Sequence, residues 1–282
     1  MNMKCGIISI IGRSNVGKST IFNGLMKKKM SIVTKKKNTT RSKILGIKTD
    51  KKEQMVFIDT PGIYSDKKNT LHHFIKKQIK QSLEISQTII FVIEALKFTK
   101  EDNKLLSIIK TLNFNTILII NKIDLLKDNI DLLLPFIEKL SLEYKYKRII
   151  PFIAKKKDMI QKLDENIKDL LPKNNFLFKE NKTSNKKKIF FLKEILREKI
   201  LKMYNKEIPY SVSLDIANLH KTSRKIDISI NIYVKNIVQK KILLGAKGKK
   251  IKLLSKITEK HIETYLKKKI FLKFFIKKTN EN

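Results

Sequence analysis

Residues 12–19 read Gly12-Arg13-Ser14-Asn15-Val16-Gly17-Lys18-Ser19 and match the pattern G-x-x-x-x-G-K-[ST]. They follow a continuous apolar run, Cys5–Ile11, and open onto a segment of helical spacing, Lys18–Lys28. Few folds are open to a chain that places this loop between a buried strand and a helix. The two glycines let successive backbone N–H groups turn toward one point, and the helix N-terminus adds positive dipole there. The result is a cradle for phosphate, in which Lys18 reaches the terminal phosphates and the Ser19 hydroxyl supplies an oxygen to Mg²⁺. A plain glycine turn carrying a solvated lysine would need neither flanking element.

The next 150 residues fit that loop. Ile44–Thr49 and Met55–Asp59 read as a strand pair joined by the polar Asp50-Lys51-Lys52-Glu53 turn. Thr88–Glu94, Thr116–Ile120 and Arg148–Ala154 are further apolar strands, and they alternate with helical spacing over Leu71–Leu83, Asp102–Leu112, Asp131–Leu142 and Met159–Leu171. Continuous apolar strands alternating with helices imply an α/β domain with a mainly parallel sheet and helices on both faces. We assign it to residues 1–171. Residues 172–188, rich in Lys and Asn and without a clear period, read as a linker. Residues 189–282 then give the order α-β-β-α-α-β: Ile189–Tyr204 helical, Val212–Leu219 and Ile226–Val234 strand-like, two short helices around Gly245–Gly248, and Lys269–Ile276 a strand. That is a small α+β domain.

Two more motifs follow apolar strands. Asp59-Thr60-Pro61-Gly62 lies 40 residues beyond Ser19. An Asp there holds Mg²⁺ through water, and the Gly62 N–H reaches the terminal phosphate. Asn121-Lys122-Ile123-Asp124 ends the Thr116–Ile120 strand. The Asp124 carboxylate matches the N1–H and N2–H₂ donors of guanine, which adenine lacks, and the Lys122 stem can lie over the base. Ile63 stands where many GTPases carry a glutamine that orients water. An apolar side chain there leaves hydrolysis to positioning and charge stabilisation, so turnover should be slow.

The net charge is +37, with 58 lysines and five arginines. A lysine-, isoleucine- and asparagine-rich composition also follows from AT-rich codons, so the distribution carries more than the total. Residues 1–170 hold 34 basic and 17 acidic side chains, and residues 171–282 hold 29 and 9. The second part is about twice as basic per residue, which favours a polyanion, either nucleic acid or anionic lipid. One cysteine, Cys5, leaves no disulfide framework, and the His72-His73 pair has no metal-ligand spacing. The apolar runs are strand-length, and the one after Lys4 lacks a small-residue cleavage site. The expectation is a soluble cytoplasmic protein.

Together GRSNVGKS, Thr39-Thr40-Arg41, DTPG and NKID resemble the small bacterial GTPases related to translation factors, and within them the Era family. Met30–Gly46 is similar to that family's first switch and Glu207–Asp215 to the opening of its second domain. The resemblance implies a slow GTPase that binds GTP and GDP with Mg²⁺. Lys18, Thr40 and Gly62 would be its catalytic groups. Ser19, Asp59 and Thr40 (or Thr39) would hold the metal. Asn15 would ligate a monovalent cation, K⁺, near the phosphates. The Ala154 N–H would meet guanine O6, although Ile153 replaces the family's Ser beside it, and Ser14 replaces a Pro.

Gly245-Ala246-Lys247-Gly248, followed by Lys249 and Lys250, is a G-x-x-G between helical segments. By the same resemblance the second domain is a type II KH fold, and these six residues bind RNA. Ile251, Leu253, Leu254 and Ile257 should mostly pack the core, one or two of them lining the base groove. The implied partners are the 3′ end of small-subunit ribosomal RNA and the 30S precursor, with the chain monomeric and in peripheral contact with anionic membrane. A scaffold that binds RNA over a degenerate, non-hydrolysing nucleotide pocket is the alternative.

Overall fold

The computed structural model describes residues 3–34, 36, 43–62, 79–112, 114–204 and 208–279. The chain divides into two compact units, Met1–Lys186 and Lys187–Asn282.

Unit 1 is built on a six-stranded sheet of β1 (Lys4–Ile11), β2 (Ile44–Asp50), β3 (Glu53–Asp59), β4 (Thr88–Glu94), β5 (Asn115–Asn121) and β6 (Arg148–Phe152), in the order β2-β3-β1-β4-β5-β6. Only β2 runs antiparallel, paired to β3 through the Lys51-Lys52 turn. Its helices are α1 (Lys18–Leu25), α2 (Lys100–Leu112), α3 (Leu133–Glu143) and α4 (Lys157–Lys168), and residues 79–84 are also helical. The central strands are buried on both faces. Ile89, Phe91 and Ile93 of β4 join the cluster formed with Leu105, Leu106 and Ile109 of α2, while Ile90 and Val92 point the other way and are equally buried. Strands β1, β3, β4 and β5 therefore end in one row, and the loops after them share one edge of the sheet.

Residues 172–186, expected as a linker, are fastened to unit 1. Cys5 N–H donates to the Pro172 carbonyl at 3.1 Å, and Ile47 N–H to the Thr183 carbonyl at 2.9 Å. The Gln54 side-chain amide binds the Phe178 backbone in both directions, at 2.8 and 2.9 Å. The segment is polar because it lies outside, yet its backbone groups find partners on the sheet margin and cover the β2 edge.

Unit 2 comprises α5 (Lys188–Met203), α6 (Ile208–Ser211), β7 (Ser213–Lys221), β8 (Lys225–Val234), α7 (Ile237–Leu244), α8 (Lys249–Leu266) and β9 (Lys269–Lys278). The sheet order is β7-β8-β9, antiparallel then parallel. Ile226, Ile228, Ile230 and Ile232 present one face of β8 to Leu192, Leu196 and Ile200 of α5 and to Leu254 and Ile262 of α8. Helix α8 has 18 residues, where a short helix was expected. Its lysine-rich exposed face hid the buried stripe Leu254, Thr258 and Ile262.

Candidate functional site

Asn121 at the end of β5 binds three loops. Its Nδ2 donates to the Val16 carbonyl at 2.7 Å, and its Oδ1 accepts from Ala154 N–H at 3.0 Å. The phosphate loop, the Asn121–Asp124 turn and the loop after β6 are thus joined through one buried amide. Gly17 makes the approach possible. It sits at φ +111°, and a Cβ there would run into Asn121 Nδ2. Gly17→Ala is expected to break the Asn121 tether and reduce nucleotide affinity at least tenfold, as measured by titration with a fluorescent GDP. The Ala154 N–H, expected at guanine O6, lies in this loop and donates to Asn121 Oδ1.

Across the loop, Ser19 Oγ donates to Asp59 Oδ2 at 2.8 Å. Ser31 Oγ donates to the same oxygen at 2.7 Å. Asn23 positions Ser31: its Oδ1 accepts from Met30 and Ser31 N–H and its Nδ2 donates to the Ser31 carbonyl, each at 2.8 Å. This ends α1 earlier than the apolar spacing suggests. Neither Asn23 nor Ser31 was legible in sequence, since no motif joins them to Asp59. Thr60 Oγ1 fixes the DTPG loop to the Ile10 carbonyl at 2.8 Å. Gly62 lies against the phosphate loop, where Ser14 Oγ donates to its carbonyl at 3.4 Å. Thr40 and Ile63, like Thr39, Arg41, His72 and His73, lie outside the described residues.

Lys18 is buried, and its Nζ donates to the Arg13 carbonyl at 2.8 Å. Burial lowers its pKa to about 8 against the pull of Asp59 and Asp102. An ammonium held in so little water is a strong partner for an anion that replaces its solvation.

The Arg13 guanidinium meets two carboxylates. Its Nε donates to Asp102 Oδ2 at 3.0 Å, and Nη2 lies 3.9 Å from Glu94 Oε2. Glu94 also holds Lys122 and Lys97, each at 2.6 Å. Burial works to raise its pKa, but hydrogen bonds and charge from these two lysines prevail and hold it below the usual carboxylate range. Asp102 takes the N–H and hydroxyl of Thr99 at 2.9 Å as well. One charge network therefore joins the phosphate loop to Lys122. Asp102→Ala strands Arg13 without its main partner and should cost about 3–5 kcal/mol, read as a lowered denaturation midpoint. Asp124, next to Ile123 in a short 3₁₀ turn, is exposed.

In unit 2 the Gly245–Gly248 turn joins α7 to α8. Gly248 has φ +74° with open space where a Cβ would stand, and Lys247 is left-handed too. Ala246, Lys247, Lys249 and Lys250 are exposed. Leu254 is fully buried and Ile251 packs on the core, while Leu253 stays exposed. Among the described residues, no group of three or more His, Cys, Asp and Glu could hold a metal ion, and no helix is long and apolar enough to cross a membrane.

The 50S ribosome-binding GTPase family matches residues 7–122, and the KH domain family matches residues 207–282. GTPase Era of Coxiella burnetii (strain Dugway 5J108-111) is 35% identical over 273 residues, covering 97% of this chain and 92% of that protein. GTPase Era of Buchnera aphidicola subsp. Acyrthosiphon pisum (strain Tuc7) is 37% identical, covering 98% of each. An Aquifex aeolicus Era variant bound to GDP·AlF4⁻ superposes with TM-score 0.90 at 31% identity, covering 99% of this chain and 95% of that one. Era in complex with MgGDPNP and nucleotides 1506–1542 of 16S ribosomal RNA gives 0.89 at 32% identity, with the same coverage. A phosphate loop, DTPG and NKID gathered at one sheet edge, a KH unit after them, and identity along nearly the whole length lead to one conclusion: the chain belongs to the Era family of GTPases.

Proposed function

We propose that this GTPase is a guanine-nucleotide switch that binds the 3′ end of small-subunit ribosomal RNA and assists assembly of the 30S subunit. The observation that carries the reading is a pairing within one chain. Lys18, Ser19 and Asp59 converge at the phosphate loop, and a Gly-x-x-Gly turn between helices displays Lys247, Lys249 and Lys250. The relative that holds MgGDPNP together with 16S ribosomal RNA supports it.

The N–H groups of residues 13–19 and the Lys18 ammonium bind the phosphates, and Asp124 accepts from guanine N1–H and N2–H₂. Ser19 Oγ and the Asp59 carboxylate are hard oxygen donors 2.8 Å apart, a set that fits Mg²⁺ with its retained waters, and Thr40 would complete it. Mg²⁺, when bound, neutralises charge on the β- and γ-phosphate oxygens. Asn15 would hold K⁺ beside them. Ile63 cannot hydrogen-bond water, so single-turnover phosphate release from the isolated chain should stay below about one per minute, within the roughly 10⁻⁴ to 10⁻² per second of unassisted GTPases. Faster release would require another group that orients the attacking water.

The protein acts as a monomer in the cytoplasm. The experiment is titration of the full chain with a labelled small-subunit rRNA 3′-end oligonucleotide. Binding is expected, and Gly248→Asp should weaken it about tenfold by setting a carboxylate against the phosphates, with GTP affinity unchanged. A chain that binds GTP and no RNA would contradict the reading.

A further inference from the structure

We propose that the solvent face of the β7-β8-β9 sheet is a second contact for single-stranded RNA, separate from the Gly245–Gly248 turn. Strand β9 alternates strictly. Ile270, Leu272, Phe274 and Ile276 face the core of unit 2, and Lys269, Phe271, Lys273, Phe275 and Lys277 face outward. Phe271 is 47% exposed and Phe275 45%. The core side of the strand is already filled, so two half-wet rings on the other side add nothing to it. Each ring has a lysine on either side along the strand.

The charges favour a polyanion. Lys225 lies directly opposite Lys269 in the β8–β9 register, a like-charge pair that a sheet tolerates poorly. Both ammonium groups stand over the Phe271 ring, 5.4 and 5.9 Å from its centroid. The face carries two carboxylates, and both are engaged: Asp227 with Lys225 at 3.1 Å, and Asp215 with Lys193 at 2.6 Å. Among the described residues Lys273 and Lys277 form no ion pair. Asp227 is taken by Lys225, so a phosphate beside Lys269 would meet a charge that this carboxylate does not match.

The spacing favours bases over lipid. Phe271 and Phe275 are four residues apart, about 13 Å along the strand, so each ring takes its own base. Beside them, Ser229 pairs with Lys273 in register. Its half-exposed hydroxyl can bond a base edge but would lose its water against acyl chains. Sheet-borne aromatics that stack bases between cationic side chains are a general route to single strands.

This inference takes the RNA partner from the proposed function and adds a surface to it, and the test separates the two. The full chain is titrated with the rRNA 3′-end oligonucleotide and with oligo(U). Gly248→Asp should leave salt-sensitive oligo(U) binding. Adding Phe271→Ser and Phe275→Ser should weaken that remainder by about tenfold per ring, with GTP turnover unchanged. Lys273→Glu with Lys277→Glu tests the same face without touching the rings, and should also lower oligo(U) binding. If both pairs of substitutions leave every RNA affinity unchanged, while wild type binds RNA, this face is not an RNA contact. If they abolish sedimentation with phosphatidylglycerol vesicles and spare RNA, the face is a membrane contact and the inference falls. A wild type that binds no RNA overturns the proposed function and this surface with it.

Discussion

Lys18→Met is expected to abolish measurable nucleotide binding and to make the nucleotide-free protein no less stable. The first effect follows from burial. Lys18 sits among backbone groups with almost no water, so the contact its ammonium makes with a phosphate is little screened. Truncating one partner of such a pair costs roughly 3–5 kcal/mol, a loss of 100-fold or more in affinity. The second effect has the opposite sign. Burial holds the Lys18 pKa near 8, so the folded, empty protein binds that proton less well than the unfolded chain does. A depressed lysine pKa is a stability penalty, present in full below about pH 8 and gone by about pH 10.5. A shift from 10.5 to about 8 corresponds to a penalty of about 3 kcal/mol, already net of the ammonium's own contacts. Nucleotide-free Lys18→Met should therefore unfold at a temperature equal to wild type or a few degrees above it at pH 7. Its advantage should shrink as the pH rises from 8 to 10.5. A melting temperature well below wild type would mean that Lys18 supports the fold rather than the ligand.

Asp124→Asn is expected to exchange guanine for xanthine. The carboxylate accepts from two adjacent donors of guanine. An amide at the same place offers one acceptor and one donor, which match N1–H and the 2-oxo group of xanthine. GTP affinity should fall at least 100-fold, because buried donors of the base are left unmatched. XTP should then bind more tightly than GTP. Asp124 is exposed in the 3₁₀ turn Ile123–Leu125, so the unliganded protein should melt within about 0.5 kcal/mol of wild type. Competition between XTP and labelled GDP measures the exchange. Unchanged GTP affinity in the variant would remove Asp124 from base recognition.

What was legible in the sequence is what is local. A phosphate loop needs its glycines, lysine and serine within eight residues, and each of DTPG and NKID is complete within four, so composition alone displays them. Strand β9, expected over Lys269–Ile276, runs to Lys278. The charge network was hidden. Arg13, Glu94, Lys97, Asp102 and Lys122 come from four separate segments, and only the parallel alignment of β1, β4 and β5 gathers them. Residues 172–186 misled because polarity was taken for solvation of the backbone, whereas Gln54 and the β2 edge receive it. Ala154 lies in the loop where the resemblance puts it, and its N–H donates to Asn121, a contact that no motif displays.

The switch proposed above requires nucleotide state in unit 1 to change RNA affinity in unit 2, and thermodynamic linkage then requires RNA to alter nucleotide affinity by the same factor. The direct measurement is the dissociation constant of the small-subunit rRNA 3′-end oligonucleotide for the full chain with non-hydrolysable GTP analogue, with GDP, and without nucleotide. At least fivefold tighter binding with the analogue than with GDP is predicted, a coupling of about 1 kcal/mol. Equal affinities in all three states would contradict it.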